Sequence, residues 1–287
     1  MPNNIIDIPV RNYYNVYISE QKARFLMKIT DFHTHPYLSR EEFLNFYPEC
    51  FSPSPEQMKK DTERAGISHI AGCVLNKRSY TAEEGFSYIR ECNDKALELK
   101  RIWGDFYSPG FHVHPHFVKE SIAEIERMNK HGIRLIGELV PYMHGWSGYS
   151  CKGLHTILEA AEQYGMIVSF HTMKDEQREM TEMTEAHPKL IFVAAHPNEK
   201  EYFLLHLERL KKYDNFYLDL SGTGIFRYGL LAYGVNKAGS EKFIFGTDYP
   251  ICNPGMYVQA VMHEPISDAD RENILYGNAQ RLLTTAG

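Results

Sequence analysis

The chain has 287 residues, of which 43% are hydrophobic and 24% charged, and this balance predicts a globular protein with enough apolar material for a sizeable core. The net charge of −6 argues against a nucleic-acid partner, and no apolar run is long enough to span a bilayer or to form a signal peptide. The five cysteines are scattered without a C-x-x-C pair, which is typical of reduced thiols in a cytoplasmic protein and argues against a cysteine-based zinc site.

The segment 1–28 does not share the pattern of the rest of the chain, because it is rich in Asn and Tyr and has only one short β-like run, over 13–18. We predict it to be a short N-terminal extension. The sequence leaves open whether it forms a loose extension, an edge hairpin or a packing arm. Residues 29–287 are predicted to form one domain, since a single α/β barrel commonly takes about 250 residues.

From residue 29 onward, short β-type runs alternate with helical ones. The predicted strands are 29–34, 68–75, one within 103–114, 133–139, 166–170, 190–195, 216–220 and 242–245, and the helical segments between and after them include 56–65, 175–186, 225–238, 254–262 and 268–284. Nearly continuous apolar strands are typical of parallel strands buried on both faces. Eight such strand–helix units predict a (β/α)8 TIM barrel. The competing doubly wound sheet is disfavoured, because no G-x-G-x-x-G or P-loop follows a strand.

Residues that bind metals follow the predicted strands at the end where barrel active sites lie. His33 and His35, in the segment DFHTHP, project from one face of the first strand, so that both imidazoles can reach one metal ion. Each such residue has an ordinary alternative when taken alone, as a loop histidine, an interior ion-pair partner or a turn aspartate. Chance explains their joint placement much less well, and we predict a metal site formed by His33, His35, Glu138, His171, His196 and Asp248.

Four segments carry a resemblance to a known family: DFHTHP, FYLDLSG, FIFGTDYP and ENILYGNAQRLL. They resemble the amidohydrolase superfamily over about 29–284, and are most similar to its aminocarboxymuconate-semialdehyde-decarboxylase-like branch of metal-dependent hydrolases. Glu138 leaves open whether there is one ion or two, since TatD-type members have a glutamate on strand four and this branch often has none. The resemblance implies a divalent metal, usually zinc, bound by His33, His35, His171 and Asp248, with His196 holding the metal-bound water or the substrate.

The activity that we expect from these residues is hydrolysis by a metal-activated water. A divalent ion lowers the pKa of bound water from about 15.7 towards about 7. Asp248 is placed to take the proton from that water and pass it to the leaving group. His196, alone or with a second ion at Glu138, would stabilise the oxyanion that develops. The expected substrate is a small molecule with an amide, lactone or ester bond.

Two other activities remain open. Decarboxylases of the same branch protonate a carbanion at the metal site and release CO2, so a non-oxidative decarboxylase of an unsaturated or aromatic carboxylate is the first alternative. It would need a carboxylate-binding arginine beside the metal. Arg78, Tyr142 and Arg227, in the loops after strands two, four and seven, are the candidate substrate-binding residues, and a solvated-loop interpretation fits them equally well. A TatD-type nuclease is disfavoured by the negative net charge.

The region around strand three carries two further patterns. Its histidine run at 112–116 resembles a metal motif, but it lies where the strand becomes a loop. The aromatic residues Phe106, Tyr107 and Phe111 would suit a homodimer interface.

Overall fold

The computed structural model describes residues 27–42, 52–75, 83–172, 174–224 and 227–285. Within these ranges eight strands form one sheet, in which each strand pairs in parallel with the next along the chain. The sheet closes on itself, since the Phe32 amide in the first strand donates to the Phe245 carbonyl after the last at 2.9 Å. The predicted (β/α)8 TIM barrel is therefore confirmed. The strands are β1 (Thr30–Thr34), β2 (His69–Gly72), β3 (Tyr107–Phe111), β4 (Leu135–Leu139), β5 (Ile167–His171), β6 (Ile191–Ala195), β7 (Phe216–Asp219) and β8 (Phe243–Ile244).

Helices connect successive strands, as parallel pairing requires. Local sequence explains where several begin: Ser54 and Asn253 each accept a hydrogen bond from a backbone amide of the first turn, and a proline follows each cap. The helices are α1 (Pro55–Arg64), α2 (Ser87–Trp103), α3 (Val118–Lys130), α4 (Lys152–Glu162), α5 (Gln177–Ala186), α6 (Lys200–Lys212), α7 (Leu230–Ala238), α8 (Pro254–Met262), α9 (Asp268–Glu272) and α10 (Asn278–Thr285).

Two predicted helices have different bounds for reasons that lie in the folded structure. The segment 268–284 is interrupted by a π-helical turn, Asn273–Gly277, between α9 and α10. The Ile274 carbonyl in this turn accepts a hydrogen bond from the Phe245 amide at 3.0 Å, which ties the turn to the end of β8. The helix predicted from 225 begins only at Leu230, because the preceding Gly229 has φ of 84°, outside the helical region.

Strand β3 runs through Pro109 and Gly110 without interruption. The glycine permits a close approach of the neighbouring backbone, since a Cβ at Gly110 would lie 2.5 Å from the Gly137 carbonyl oxygen of β4. The pairing of β3 with β4 therefore depends on the absence of a side chain at this position.

The two ends of the barrel differ in chemistry. Ala279 and Leu282 of α10 join an apolar cluster with Phe32, Leu135 and Ile167 of the strands. Leu135 and Ile167 are the first residues of their strands, so this cluster fills the amino-terminal end of the barrel. The polar residues that follow the strands are thus collected at the opposite, carboxyl-terminal end, above an apolar base.

The predicted N-terminal extension lies almost entirely outside the described residues, so the boundary at 28 stays a prediction. Of its last residues, Met27 packs against the core. The Lys28 ammonium lies 5.7 Å from the centre of the Tyr276 ring. These two contacts attach the start of the described chain to the barrel.

Two predictions about partners can be compared with the structure. Tyr107 and Phe111, suggested for a dimer interface, are fully buried in the core, so they cannot form such a surface. The homodimer itself stays a prediction. Across the part of the chain that the structure describes, no helix combines the length and apolarity needed to cross a membrane.

Candidate metal centre

The six residues predicted as metal ligands come together at the carboxyl-terminal end of the barrel. Five of them are no more than 7% exposed, and the His171 side chain is 23% exposed. His33 and Glu138 lie within β1 and β4, and His171 ends β5. His35 and His196 follow directly on β1 and β6, and Asp248 lies four residues after the end of β8.

Two imidazole nitrogens and the oxygens of two carboxylates lie close together. The Nε2 atoms of His33 and His35 are 3.2 Å apart. Asp248 Oδ1 lies 3.6 Å from the first and 3.2 Å from the second. Glu138 Oε2 lies 3.5 and 3.6 Å from the same two nitrogens. Donors bound tetrahedrally at about 2.0–2.1 Å stand roughly 3.3–3.4 Å from one another, so the spacing of each carboxylate oxygen from the two nitrogens fits a shared cation.

The other oxygen of Glu138 faces a second pair of imidazoles. Glu138 Oε1 lies 2.9 Å from His171 Nδ1 and 3.5 Å from His196 Nε2. The His171 and His196 rings are 4.7 Å apart between centres. Two groups of three residues with converging donor atoms therefore share Glu138.

Asp219, the last residue of β7, orients two of these imidazoles. Its Oδ2 accepts a hydrogen bond from His33 Nδ1 at 2.9 Å, which leaves the lone pair of His33 on Nε2. Its Oδ1 accepts hydrogen bonds from the amide and the hydroxyl of Ser221. Because that hydroxyl proton is committed to Asp219, the Ser221 oxygen accepts from His196 Nδ1 at 3.0 Å, and the lone pair of His196 is on Nε2.

His35 is oriented in the same sense by the backbone. Its Nδ1 lies 3.2 Å from the Cys73 carbonyl oxygen, so Nδ1 carries the proton and Nε2 is free to bind a cation. Three imidazoles thus direct the Nε2 lone pair into the site. Such partners on the far side of the ring are characteristic of histidines that bind metals.

Beside the site, the buried Asp31 carboxylate joins the first strand to the segment that follows the last strand. Asp31 accepts hydrogen bonds from the Thr247 amide at 3.0 Å and the Thr247 hydroxyl at 2.5 Å, and from the His33 amide at 3.2 Å. The next residue, Asp248, has φ of 65° and donates its amide to the His33 carbonyl at 2.8 Å. These bonds fix the Asp248 carboxylate against the two histidines of β1.

In the described part of the chain, every group that forms an ion pair with the Glu138 carboxylate is an imidazole. Burial opposes ionisation of both partners, but the carboxylates of Asp219 and Glu138 hold the pKa of His33 well above its usual value. Burial likewise opposes the Glu138 carboxylate, yet the facing His33 and His171 hold its pKa well below the usual range. A divalent cation can replace this imidazole proton, since metal binding releases protons from its ligands.

The substrate-binding candidates are placed differently from one another. Tyr142 lines a cavity of about 80 Å³ at the mouth, is 56% exposed, and meets the His171 ring edge-on at 5.4 Å between centres. Arg227 is largely exposed, and its Nη2 pairs with Glu199 Oε2 at 3.0 Å, outside the lining of this cavity. Arg78 lies outside the described residues.

Two groups of residues near the site were not assigned from the sequence. Asp219 and Ser221, in FYLDLSG, follow the same rule of polar residues at a strand end and could have been found by it. In the histidine run, His112 Nε2 bonds the Val74 carbonyl at 2.9 Å, and His114 Nε2 bonds the His144 carbonyl at 2.8 Å. Burial lowers the pKa of both histidines to about 4, so they are neutral. Their hydrogen bonds to backbone carbonyls hold the loops next to the site.

Comparison with known proteins assigns the family. The sequence profile described as Amidohydrolase matches residues 30–284. The chain therefore belongs to the amidohydrolase family, in agreement with the resemblance inferred from its motifs.

Three relatives illustrate what the chain is similar to. A gamma-resorcylate decarboxylase of Polaromonas sp. is 38% identical over 70 residues, which span 24% of this chain and 21% of that protein. A structure of 2,6-dihydroxybenzoate decarboxylase with 2,6-dihydroxybenzoate has a TM-score of 0.69 at 15% identity, covering 88% of this chain and all of that one (100%). A dihydroxybenzoic acid decarboxylase of Polaromonas sp., with manganese and 2-nitroresorcinol, has a TM-score of 0.66 at 17% identity, covering 91% and 98%. The structural likenesses support the fold.

The expectation of a hydrolase is corrected by these findings. The curated relative that aligns with the chain is a decarboxylase, and the two similar structures are also of decarboxylases. The metal-site residues alone could not separate the two chemistries, because a cation that activates water and one that binds a carboxylate use the same histidine and carboxylate ligands.

Proposed function

We propose that this chain is a metal-dependent, non-oxidative decarboxylase of an aromatic or unsaturated carboxylate. The observation that supports this most directly is the identity of 38% over 70 residues with a gamma-resorcylate decarboxylase. The buried cluster of histidines and carboxylates at the barrel mouth gives further support, because it supplies the nitrogen and oxygen donors that a divalent cation needs.

The residues assigned to the cation are His33, His35, Asp248 and Glu138. The carboxylate oxygens of the last two each lie within 3.6 Å of both imidazole nitrogens. When bound, a divalent cation polarises an oxygen of the substrate and stabilises negative charge on it. Manganese is the ion named in one similar structure, and both manganese and zinc accept this mixture of donors.

Asp248 is the residue assigned to proton transfer. It is held between the β1 histidines and the mouth cavity, with Oδ1 3.2 Å from His35 Nε2. Its carboxyl donates a proton to the carbon that bears the substrate carboxylate. The bond to the carboxylate carbon then breaks, its electron pair remains with the unsaturated system, and CO2 leaves. A proton from solvent restores Asp248, so the net reaction consumes one proton and converts the carboxylate to a C–H group.

Two residues would orient the substrate. His196 lines the mouth cavity, and its Nε2 lies 3.5 Å from Glu138 Oε1. We assign it to bind the anionic end of the substrate. The half-exposed ring of Tyr142 stands over His171, where it can pack against an aromatic ring. The roles of Arg78 and Arg227 in carboxylate binding remain predictions from the sequence.

The test is decarboxylation of hydroxybenzoates, beginning with 2,6-dihydroxybenzoate and carrying ¹³C in the carboxyl group. The manganese-loaded protein should release labelled CO2 and, in D2O, place one deuterium on the carbon that lost it. Asp248→Asn should lower kcat by about 10²–10⁴-fold, the usual contribution of a proton-transfer group. The exposed His131→Gln serves as the control and should match the parent. Turnover of ester, lactone or amide substrates without any release of CO2 would overturn the proposal.

A further inference from the structure

Ile251 belongs to the walls of two cavities of very different size. It lines the mouth cavity of about 80 Å³, together with Asp248 and Tyr142. It also lines a cavity of about 630 Å³, which we call the outer groove. The described residues around the outer groove come from α1, from the residues next to it and from the segment after β8, and they are Pro53, Asp61, Arg64, Ala65 and 249–255.

The position of Ile251 is fixed relative to the residue that we assign to proton transfer. The Asp248 carbonyl accepts a hydrogen bond from the Ile251 amide at 2.8 Å, so a tight turn follows the Asp248 carboxylate. The half-buried Ile251 side chain packs, with Met143, against the apolar cluster of Cys73 and Leu75. Because Leu75 and Met143 also line the mouth cavity, the Ile251 side chain is part of the apolar wall of that cavity.

We propose that Ile251 determines the largest acid that the site accepts, because its side chain separates the mouth cavity from the outer groove. An acid that binds the metal centre through its carboxylate places one ring in the mouth cavity. A second ring fused to the first then meets the shared wall at Ile251. The substrates are therefore acids with a single ring. This role rests on the proposed function in one respect, namely that the carboxylate of the acid lies at the metal centre.

The sizes of the two cavities support this role. Pockets that enclose most of a small-molecule ligand usually measure about 300–1,000 Å³. The mouth cavity, at about 80 Å³, is well below that range, whereas the outer groove, at about 630 Å³, is within it. The space next to the metal centre therefore admits only a small part of a ligand, and further space begins on the other side of Ile251.

The outer groove offers the surface that a neutral second ring needs. Tyr249 and Pro250 line it and contribute aromatic and apolar surface. Two charged residues of its lining compensate each other, since Arg64 Nη1 lies 3.5 Å from Asp61 Oδ1. Ile251→Ala would remove the side chain beyond Cβ and join the groove to the mouth cavity. A fused ring would then reach the surface of the groove while the carboxylate stays at the metal centre.

The test compares the binding of benzoate and 2-naphthoate, which differ by one fused ring and lack the hydroxyl group that makes a ring basic enough for decarboxylation. Isothermal titration calorimetry on the manganese-loaded protein gives both dissociation constants without turnover. The parent should prefer benzoate, and Ile251→Ala should shift the ratio towards 2-naphthoate by about 10–100-fold, in the range that small changes of an apolar pocket produce. Val140→Ala, which truncates a residue that lines the mouth cavity and not the groove, should stay close to the parent. Ala65→Phe, added to Ile251→Ala, should fill the groove and abolish the gain.

Specific results would overturn the inference. An unchanged ratio in Ile251→Ala, with benzoate still bound, would refute the role of Ile251 and leave the proposed function intact. An equal shift in Val140→Ala, or a gain that survives Ala65→Phe, would also refute it; Ala65→Leu replaces Ala65→Phe if that variant does not fold. The expected shift without release of CO2 from any hydroxybenzoate would refute the proposed function alone. Binding of neither acid by the parent or by Ile251→Ala would contradict both, since both place the carboxylate at the metal centre.

Discussion

A single buried carboxylate, Asp219, determines which nitrogen of two separate imidazoles can bind a cation. One oxygen holds His33 directly, and the other holds His196 through the Ser221 hydroxyl. Gly222 and Gly246 leave room for this arrangement, since a Cβ at the first would lie 2.3 Å from His196 Nδ1 and one at the second 2.8 Å from His33 Cβ. Asp219 is therefore a positioning residue that acts through both histidines.

Replacing Asp219 by Asn should weaken Mn²⁺ binding about 10–100-fold, the usual cost of removing the partner behind a metal-binding histidine. The amide can donate as well as accept, so the tautomers of His33 and His196 are no longer fixed. Mn²⁺ titration measures the affinity, and ¹⁵N chemical shifts of the metal-free protein report the tautomers. Asp214→Asn, at a fully exposed aspartate, is the matched control. An unchanged affinity with unchanged tautomers would contradict this role.

A strand end is a local feature of the sequence, so residue patterns indicated which ligand-type side chains meet at the mouth of the barrel. His33, Glu138, His171 and Asp248 could be recognised from short apolar runs followed by a ligand-type side chain. Asp219 lies at such an end, and the same rule would identify it. The pairing of Arg227 with Glu199 could not be predicted, because it depends on how two loops from different strands meet.

At the scale of elements, tertiary hydrogen bonds attach the last helical region to the end of β8. Apolar runs and helical periodicity located all eight strands and the helices of the described ranges, with bounds that differ by a few residues. The π-helical turn at Asn273–Gly277 was not predictable, because its cause is the Phe245 amide of another element. The Asn278 side chain, fully buried, donates to the carbonyls of Ser240 and Phe243, each at 2.7 Å.

Asn278→Ala should lower the free energy of unfolding by about 2–4 kcal/mol, because two carbonyls lose the hydrogen bonds that Asn278 donates and Arg281 loses the one that it accepts. Urea unfolding measures the change. Asn273→Ala is the comparison variant, since that half-buried side chain makes a 3.2 Å bond to the Ser240 hydroxyl, and it should cost less. A loss in Asn278→Ala no larger than that in Asn273→Ala would contradict the larger contribution expected of the two carbonyl bonds.

At the scale of the whole molecule, buried neutral histidines link stability to pH. His206 is fully buried against the Phe216 ring, and burial together with the nearby Arg209 lowers its pKa to about 3. The unfolded chain takes up this proton near pH 6.5. Between these values the unfolded state binds more protons, so the free energy of unfolding falls as the pH is lowered from about 6.5 towards 4.

His206→Phe should remove this contribution and flatten the pH dependence of unfolding by about 1.4 kcal/mol per pH unit over that interval. Urea unfolding from pH 6.5 to 4.5, with chelator present in every sample, measures the slope. His131→Gln, at an exposed histidine, should retain the slope of the parent. Parallel slopes for the parent and His206→Phe would show that His206 does not carry this proton.

The tie between Asp31 and Thr247 joins residues 216 positions apart in the sequence. A ribosome adds residues from the amino terminus, so His33 and His35 leave the exit tunnel long before Asp248 is made. A nascent chain that ends before β8 lacks Asp248 and the support that Thr247 gives to Asp31. The four-donor group of the metal centre can therefore be complete only once the last strand has emerged, and loading with metal is expected to follow synthesis rather than accompany it.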